Sequence, residues 1–200
     1  MSTSREDILH RINTARVGMT APLVKRMYDT SLTLSREELL NLFEDRILDY
    51  GATFTRSGDV ASTISNILAE YGLRNIVIPD GFSAQWAIGT IDINLSSAQL
   101  DQFDCVVTAS ELGIAATGTI VLNHSNSSQG RRAISLVPDT HICIVKEEDV
   151  VGTVVEAVRR LNPRDHQTWI SGPSATSDIE LERVEGVHGP RNLHVILALS

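Results

Sequence analysis

A chain of 200 residues is ample for one domain whose core needs neither disulfide nor metal, with room for an N-terminal helical appendage. Its 25 acidic against 17 basic residues, a formal charge of −8, argue against a broad nucleic-acid footprint and leave only a local basic pocket open. No apolar run approaches membrane-spanning length, and the polar start Met1-Ser-Thr-Ser-Arg-Glu-Asp7 turns amphipathic, so a soluble, cytoplasmic protein without a signal peptide is expected.

In chain order, Ser4-Arg-Glu-Asp7 is a helix-start signature with Ile8, Ile12 and Ala15 at helical spacing behind it, ending near Gly18. Residues 19–34 show no clear period and read as a linker. Ser35-Arg-Glu-Glu38 repeats the capping logic, and Leu39, Leu42, Phe43, Ile47 and Leu48 form the expected buried stripe. After Gly51 a strand is expected over 52–55, then a helix from Asp59 with Ile64, Ile67, Leu68 and Tyr71 inward. The run 75–79 reads as a buried strand.

This strand-helix-strand order, with continuous apolar strands, predicts an α/β protein with a mainly parallel, Rossmann-like sheet and flanking helices. Residues 80–103 are expected to hold a short helix in an irregular connection, with Trp86 as packing. Strands follow at 104–108 and 120–122. The loop between them, with Gly113, Thr117, Gly118 and Thr119, either lets backbone amides approach an anion or makes a tight strand crossing. Cys105 and Cys143 lie inside apolar runs without ligand spacing, so they read as packing thiols and no metal site follows.

His124-Ser-Asn-Ser-Ser-Gln-Gly130 reads as an exposed, mobile loop between two strands, ending on Arg131-Arg132. A guanidinium pair there is either a solvated edge or a grip for a carboxylate or phosphate. Strands are expected at 133–137 and 141–145, divided by Pro138-Asp-Thr140. His141, at the start of the second, either caps the turn or faces a site as a neutral donor or acid/base group. A helix from Glu147 with Val150, Val151, Val154, Val155 and Val158 inward is expected, followed by a buried strand at 168–170.

The segment Ser171-Gly-Pro-Ser-Ala-Thr-Ser-Asp-Ile-Glu180, closing with Gly186-Val-His-Gly-Pro-Arg191, is polar between two apolar strands, a setting that commonly carries a site. Together with Gly113–Thr119 and Arg132–His141 it forms ordered blocks that resemble the lactate-utilisation (LUD) domain family, specifically over residues 104–199. The resemblance implies a fold similar to sugar-phosphate isomerases and CoA transferases, and a site beyond the strand ends. It also implies work alongside iron–sulfur proteins in oxidising L-lactate to pyruvate. The family often carries an acid before the Thr-Gly pair; here Ala116 leaves Glu111 as the loop's only acid, a candidate catalytic carboxylate.

No dinucleotide fingerprint or Walker loop is present, so no cofactor is expected on this chain and iron–sulfur clusters are expected on partners. Gly172, Ser174, Thr176 and Ser177 could offer hydroxyls and amides to a small anion if the loop opens a helical turn, or cap that turn with Asp178. Asp178 and Glu180 would orient the loop or a polar substrate. Gly172-Pro-Ser174-Ala-Thr176 lacks the last glycine of a nucleophile elbow. His188, held beside Gly189, is the leading acid/base candidate, and Arg132 or Arg191 the grip on a carboxylate. Two functions stand: a ligand-binding accessory subunit of a lactate-oxidising assembly, or an independent enzyme on a sugar-phosphate or CoA ester. The expected division is an extension and linker over 1–34 and an α/β domain over 35–200.

Overall fold

Capping chemistry and apolar spacing place the helices. The computed structural model describes residues 3–18, 31–87, 89–177, 183–185 and 188–199. Thr3 and Glu6 form a capping box that starts α1 (Ser4–Arg16), and Ser35 with Glu38 starts α2 (Arg36–Asp49). Asp59 accepts from Ser62 N at the head of α3 (Val60–Glu70). The first two are reciprocal boxes and the third a single cap, and all three satisfy free helical amides. The stripe of α2 is shifted from expectation, since Leu40 is buried with Phe43 and Ile47 while Leu48 is exposed.

Six strands pair in parallel: β1 (Thr53–Ser57), β2 (Ile76–Pro79), β3 (Thr90–Asp92), β4 (Cys105–Ala109), β7 (Thr140–Lys146) and β12 (Asn192–Ala198), in the order β1-β12-β7-β4-β2-β3. A four-stranded sheet holds β5 (Leu112–Ile114), β6 (Thr119–Asn123), β8 (Val150–Val151) and β9 (Gln167–Ile170), ordered β8-β5-β6-β9. The hairpin of β10 (Ala175–Ser177) and β11 (Arg183–Glu185) stands apart. Among the described residues there are also two short α-helices, α4 (Ser97–Leu100) and α5 (Val154–Arg160), and 3-10 turns at Ala115–Thr117 and Glu147–Asp149.

Strand alternation divides the core. Ile142, Ile144 and Ile196 face α3, with Ile64 and Ile67. Cys143, Val145, Leu193, Val195 and Leu197 face the other way, onto α2 and the strands carrying Ile120 and Leu122. Burial pushes both Cys105 and Cys143 thiols up to about 12, which leaves them as inert packing groups. Phe82 and Trp86 meet edge to face at 5.9 Å. Among the described residues no helix is long and apolar enough to cross a membrane.

Several local expectations are corrected. Residues 133–137 are not a strand but successive turns, with Leu136 N and Val137 N bonding Ala133 O. The winding carries Ala133, Ile134 and Val137 together onto Val77, Leu100 and Val106, a three-residue rather than two-residue period. The helix expected from Glu147 begins only after Thr153, whose box with Glu156 is the true start. Val150 and Val151 instead pair with Gly113 and Ile114 in β8, and Val154 and Val158 are exposed. Trp169 is exposed because β9 is an edge strand with one face outward. Edge strand β3, three residues long, carries too little pattern to be read from sequence.

The loop at 124–130 follows β6 but leads into the turns at 132–136, and it is not simply exposed. Gln129 is 1 % exposed. Ser127 O accepts from Gly81 N and Ser128 O from Ala109 N, so the loop closes over the carboxyl ends of β2 and β4, its polarity satisfied by backbone and side-chain partners.

Candidate functional site

His141 is the second residue of β7, paired in register with Val106 of β4 and Leu193 of β12. Flanked on both sides, it is 1 % exposed, and alternation turns it to the same face as Cys143 and Val145. Its Nε2 lies 2.8 Å from Thr108 Oγ1. Burial pushes its pKa down to about 4, so the ring is neutral at physiological pH. Among the described residues its Nδ1 has no hydrogen-bond partner. The Thr108 hydroxyl can donate or accept, so Nδ1 can present either an N–H or a lone pair.

The ring lines a cleft of ≈ 320 Å³ at the amino ends of β7 and β12. One wall is the turn segment, with Arg132, Ser135 and Leu136; another is the end of β9 with Ser171 and Gly172; the rim carries Ser174, His188 and Gly189. Ser174 N donates to Pro190 O at 2.8 Å, and His188 N donates to Ser174 Oγ at 3.1 Å. Those bonds join the two loops and leave the Ser174 hydroxyl proton free to donate elsewhere. Gly172 is pressed against α2, where an added Cβ would stand 2.7 Å from Tyr50 Cβ. No helical turn follows Ser174, so the condition for an anion site at a helix terminus is not met there. The chain enters β10 instead, so no helix dipole contributes there.

The arginine pair is split by the fold. Arg131 forms a bidentate pair with Asp92, Nε to Oδ2 at 2.7 Å and Nη2 to Oδ1 at 2.9 Å, and also donates to Leu95 O. Burial raises the Asp92 pKa, but the bonds from Arg131 and Leu95 N outweigh it and hold the carboxyl below its ordinary value. Asp92→Ala is expected to lower stability by about 2 kcal/mol, the cost of an unpaired charge discounted for the partly exposed arginine. An unchanged urea midpoint would show that the pair is not structural. Arg132, by contrast, is exposed and has no side-chain ion pair among the described residues. It is the cation available to the His141 cleft.

The remaining candidates lie elsewhere. Thr117, Thr119 and Ser171 form a hydroxyl chain at 2.7 and 2.8 Å that reaches the cleft only through Ser171, while Gly118 packs on the Arg46 backbone. The glycines of that loop serve a close approach to α2, Gly113 against the Phe43 ring and Gly118 against the Arg46 backbone, rather than a strand-to-strand crossing. Glu111 sits in a second, polar cleft of ≈ 290 Å³ at the carboxyl ends of β4 and β7, with Ser110, Lys146 and Arg160. Its carboxylate accepts from Gln129 Nε2 at 2.9 Å. Arg191 pairs with Asp139 in a third cleft, so its charge is neutralised away from His141. Thr176 and Ser177 are strand residues of β10, and Asp178 and Glu180 lie outside the described residues. Among the described residues no His, Cys, Asp and Glu cluster could hold a metal ion.

Sequence reasoning missed Ser135, Leu136 and Thr168, which line the cleft. Thr168 Oγ1 is 2.7 Å from His124 Nε2, and His124 Nδ1 is 2.7 Å from Gly130 O. Because a carbonyl only accepts, Nδ1 carries the proton and, in the neutral ring, Nε2 accepts from Thr168. That relation spans 44 residues and leaves no local pattern.

Two sheets with a cleft at strand ends, lined by a cation, an imidazole and hydroxyl-bearing residues, define an α/β protein of mainly parallel strands with one polar cleft beside them. The LUD domain model matches residues 19–198, and the chain belongs to the LUD domain family. It is 44 % identical over 202 aligned positions to "Lactate utilization protein C" of Deinococcus radiodurans, covering 96 % of this chain and 93 % of that protein. A protein of the same name from Geobacillus kaustophilus is 28 % identical over 78 % of this chain and 76 % of its own length. A crystal structure of a DUF162 family protein from Deinococcus radiodurans superposes with a TM-score of 0.69 at 40 % identity, over 84 % of this chain and 99 % of that one.

Proposed function

We propose that the protein acts in lactate utilisation as the ligand-binding, accessory subunit of an L-lactate-oxidising assembly. Iron–sulfur partner proteins would carry the electrons. The observation that supports this most is the His141 cleft, whose lining brings together a neutral imidazole, Arg132 with no ion pair among the described residues, and Ser135, Ser171 and Ser174. Lactate or pyruvate fits that chemistry, with its carboxylate on Arg132 and its hydroxyl or keto oxygen toward the imidazole and serine hydroxyls. His141, with its depressed pKa, suits hydrogen bonding better than proton abstraction at neutral pH. Oxidation releases two protons and two electrons: the hydroxyl proton would go to His188 at the rim, while the proton from Cα and both electrons would pass to the partner proteins.

Arg132→Ala is expected to weaken lactate or pyruvate binding by about tenfold to a hundredfold, the worth of one charge-assisted contact, read by isothermal titration. Co-purification from the native cell with iron–sulfur absorbance tests the assembly. A second reading, an independent enzyme on a sugar-phosphate or CoA ester, is favoured by the Glu111 cleft at the carboxyl strand ends, where open α/β sheets commonly bind ligands. Stabilisation by phosphosugars or CoA esters, and not by lactate or pyruvate, would select it.

A further inference from the structure

Thr108 is the one hydroxyl in β4, among Cys105, Val106, Val107 and Ala109, and it is fully buried. A valine would fill the same space in that strand with no polar group to satisfy. The hydroxyl has two side-chain neighbours within bonding reach, both on the adjoining strand β7: His141 Nε2 at 2.8 Å and Cys143 Sγ at 3.8 Å.

The contact with His141 can be made in two ways that differ in cost. If the ring carries its proton on Nε2, that proton goes to Thr108 Oγ1. The threonine proton, sealed from water, is then left with a sulfur at 3.8 Å, a weak and distant acceptor. A buried donor without a good partner is the costly case. If the threonine proton instead goes to Nε2, the ring carries its own proton on Nδ1, and what remains inside is a lone pair of Oγ1, which the weak Cys143 S–H can use. The second arrangement is favoured.

In that arrangement the Nδ1 proton is not sealed. Among the described residues one side-chain polar atom, His194 Nε2, is both buried and without a partner; His141 Nδ1 also lacks a partner but is not such an atom. It therefore keeps contact with open space, and the open space that His141 lines is the cleft with Arg132.

We infer that Thr108 is a positioning residue that holds His141 as its Nδ1–H tautomer, so that the cleft meets the C2 oxygen of a small acid with a neutral N–H donor. The ligand half of this inference rests on the lactate reading. A 2-oxo acid, whose C2 oxygen only accepts, matches that donor. A 2-hydroxy acid accepts at the same oxygen and leaves its own proton directed elsewhere, and an acid without a C2 oxygen gains nothing from it.

Long-range proton–nitrogen correlation spectra of the protein labelled with 15N in its six histidines test this, the His141 signals being those lost in His141→Gln. The wild type is expected to carry the ring proton on Nδ1, with and without pyruvate. Thr108→Val removes the donor to Nε2 and should shift the tautomer ratio toward Nε2–H by about fivefold, and the preference for pyruvate over propionate, read by isothermal titration, should fall by about the same factor. Thr108→Ser should restore both. A purely structural threonine would lower the melting temperature of Thr108→Val and move neither ratio, which overturns the inference. A wild-type ring protonated on Nε2 overturns it without any variant. A ring protonated on Nδ1 in a protein that binds neither lactate nor pyruvate supports the tautomer lock and overturns the lactate reading.

Discussion

Acidification from pH 6.5 to pH 4 is expected to remove about 3 kcal/mol of stability through His141. Its pKa is 6.5 in the unfolded chain and about 4 in the fold, an interval of roughly 2.5 pH units at 1.36 kcal/mol each. In that interval the unfolded chain binds a proton that the folded one does not, so the contribution is complete above 6.5 and is lost as pH falls. His194, 4 % exposed with Nε2 unpartnered among the described residues, is also depressed by burial and acts in the same direction.

The carboxyls of Asp92 and Asp104 are held below their ordinary value, so their loss belongs to more acid solutions, below about pH 4. Urea unfolding of wild type and His141→Gln at pH 7, 6 and 5 separates these contributions. The variant should show a shallower fall across that range. An equal slope in both proteins would remove His141 as the cause.

The second large effect is at Gly172. Gly172 and Gly51 have the same φ of +81°, in the left-handed region that costs an L-residue roughly 1–2 kcal/mol. Around Gly51 an added Cβ meets nothing within 4 Å, whereas at Gly172 it would fall 2.7 Å from Tyr50 Cβ and 2.9 Å from Tyr50 O. Gly51→Ala should therefore cost about 1 kcal/mol and Gly172→Ala about 3 kcal/mol or more, because the Tyr50 backbone has to move. Displacing Gly172 also shifts the loop that carries Ser174, so ligand binding should fall with stability at this position and not at Gly51. Equal destabilisation of the two variants would mean that the contact with α2 is not limiting.

Much of the architecture was legible because it is locally encoded. Ser35 with Glu38, and Asp59, announce helices whatever surrounds them, and 75–79, 104–108 and 141–145 read as strands because a parallel sheet buried on both faces needs continuous apolar runs. The cleft was legible in part: Arg132, His141, Gly172, Ser174, His188 and Gly189 were all named from sequence and meet there. Where local reading went astray, two periods fitted the same residues. Ala133 to Val137 satisfies a strand pattern, yet turns bring Ala133, Ile134 and Val137 onto one cluster. The valines after Glu147 satisfied a helix until β5 offered Val150 and Val151 a partner strand.

By itself, the sequence determined the class, the parallel sheet, the helix starts and the block of residues from which a site would be built, since each follows from apolar spacing, capping or turn chemistry within a few neighbours. Only the tertiary structure decided which charges remain available. Arg131 and Arg132 are adjacent in the chain, but Asp92, 39 residues away, takes one and leaves the other. Asp139 takes Arg191 across 52 residues, and Gln129 holds Glu111 at the opposite strand ends from His141. Ion pairing and burial depend on distances that no local pattern records, and they settle which of the polar residues named from sequence line a common cleft.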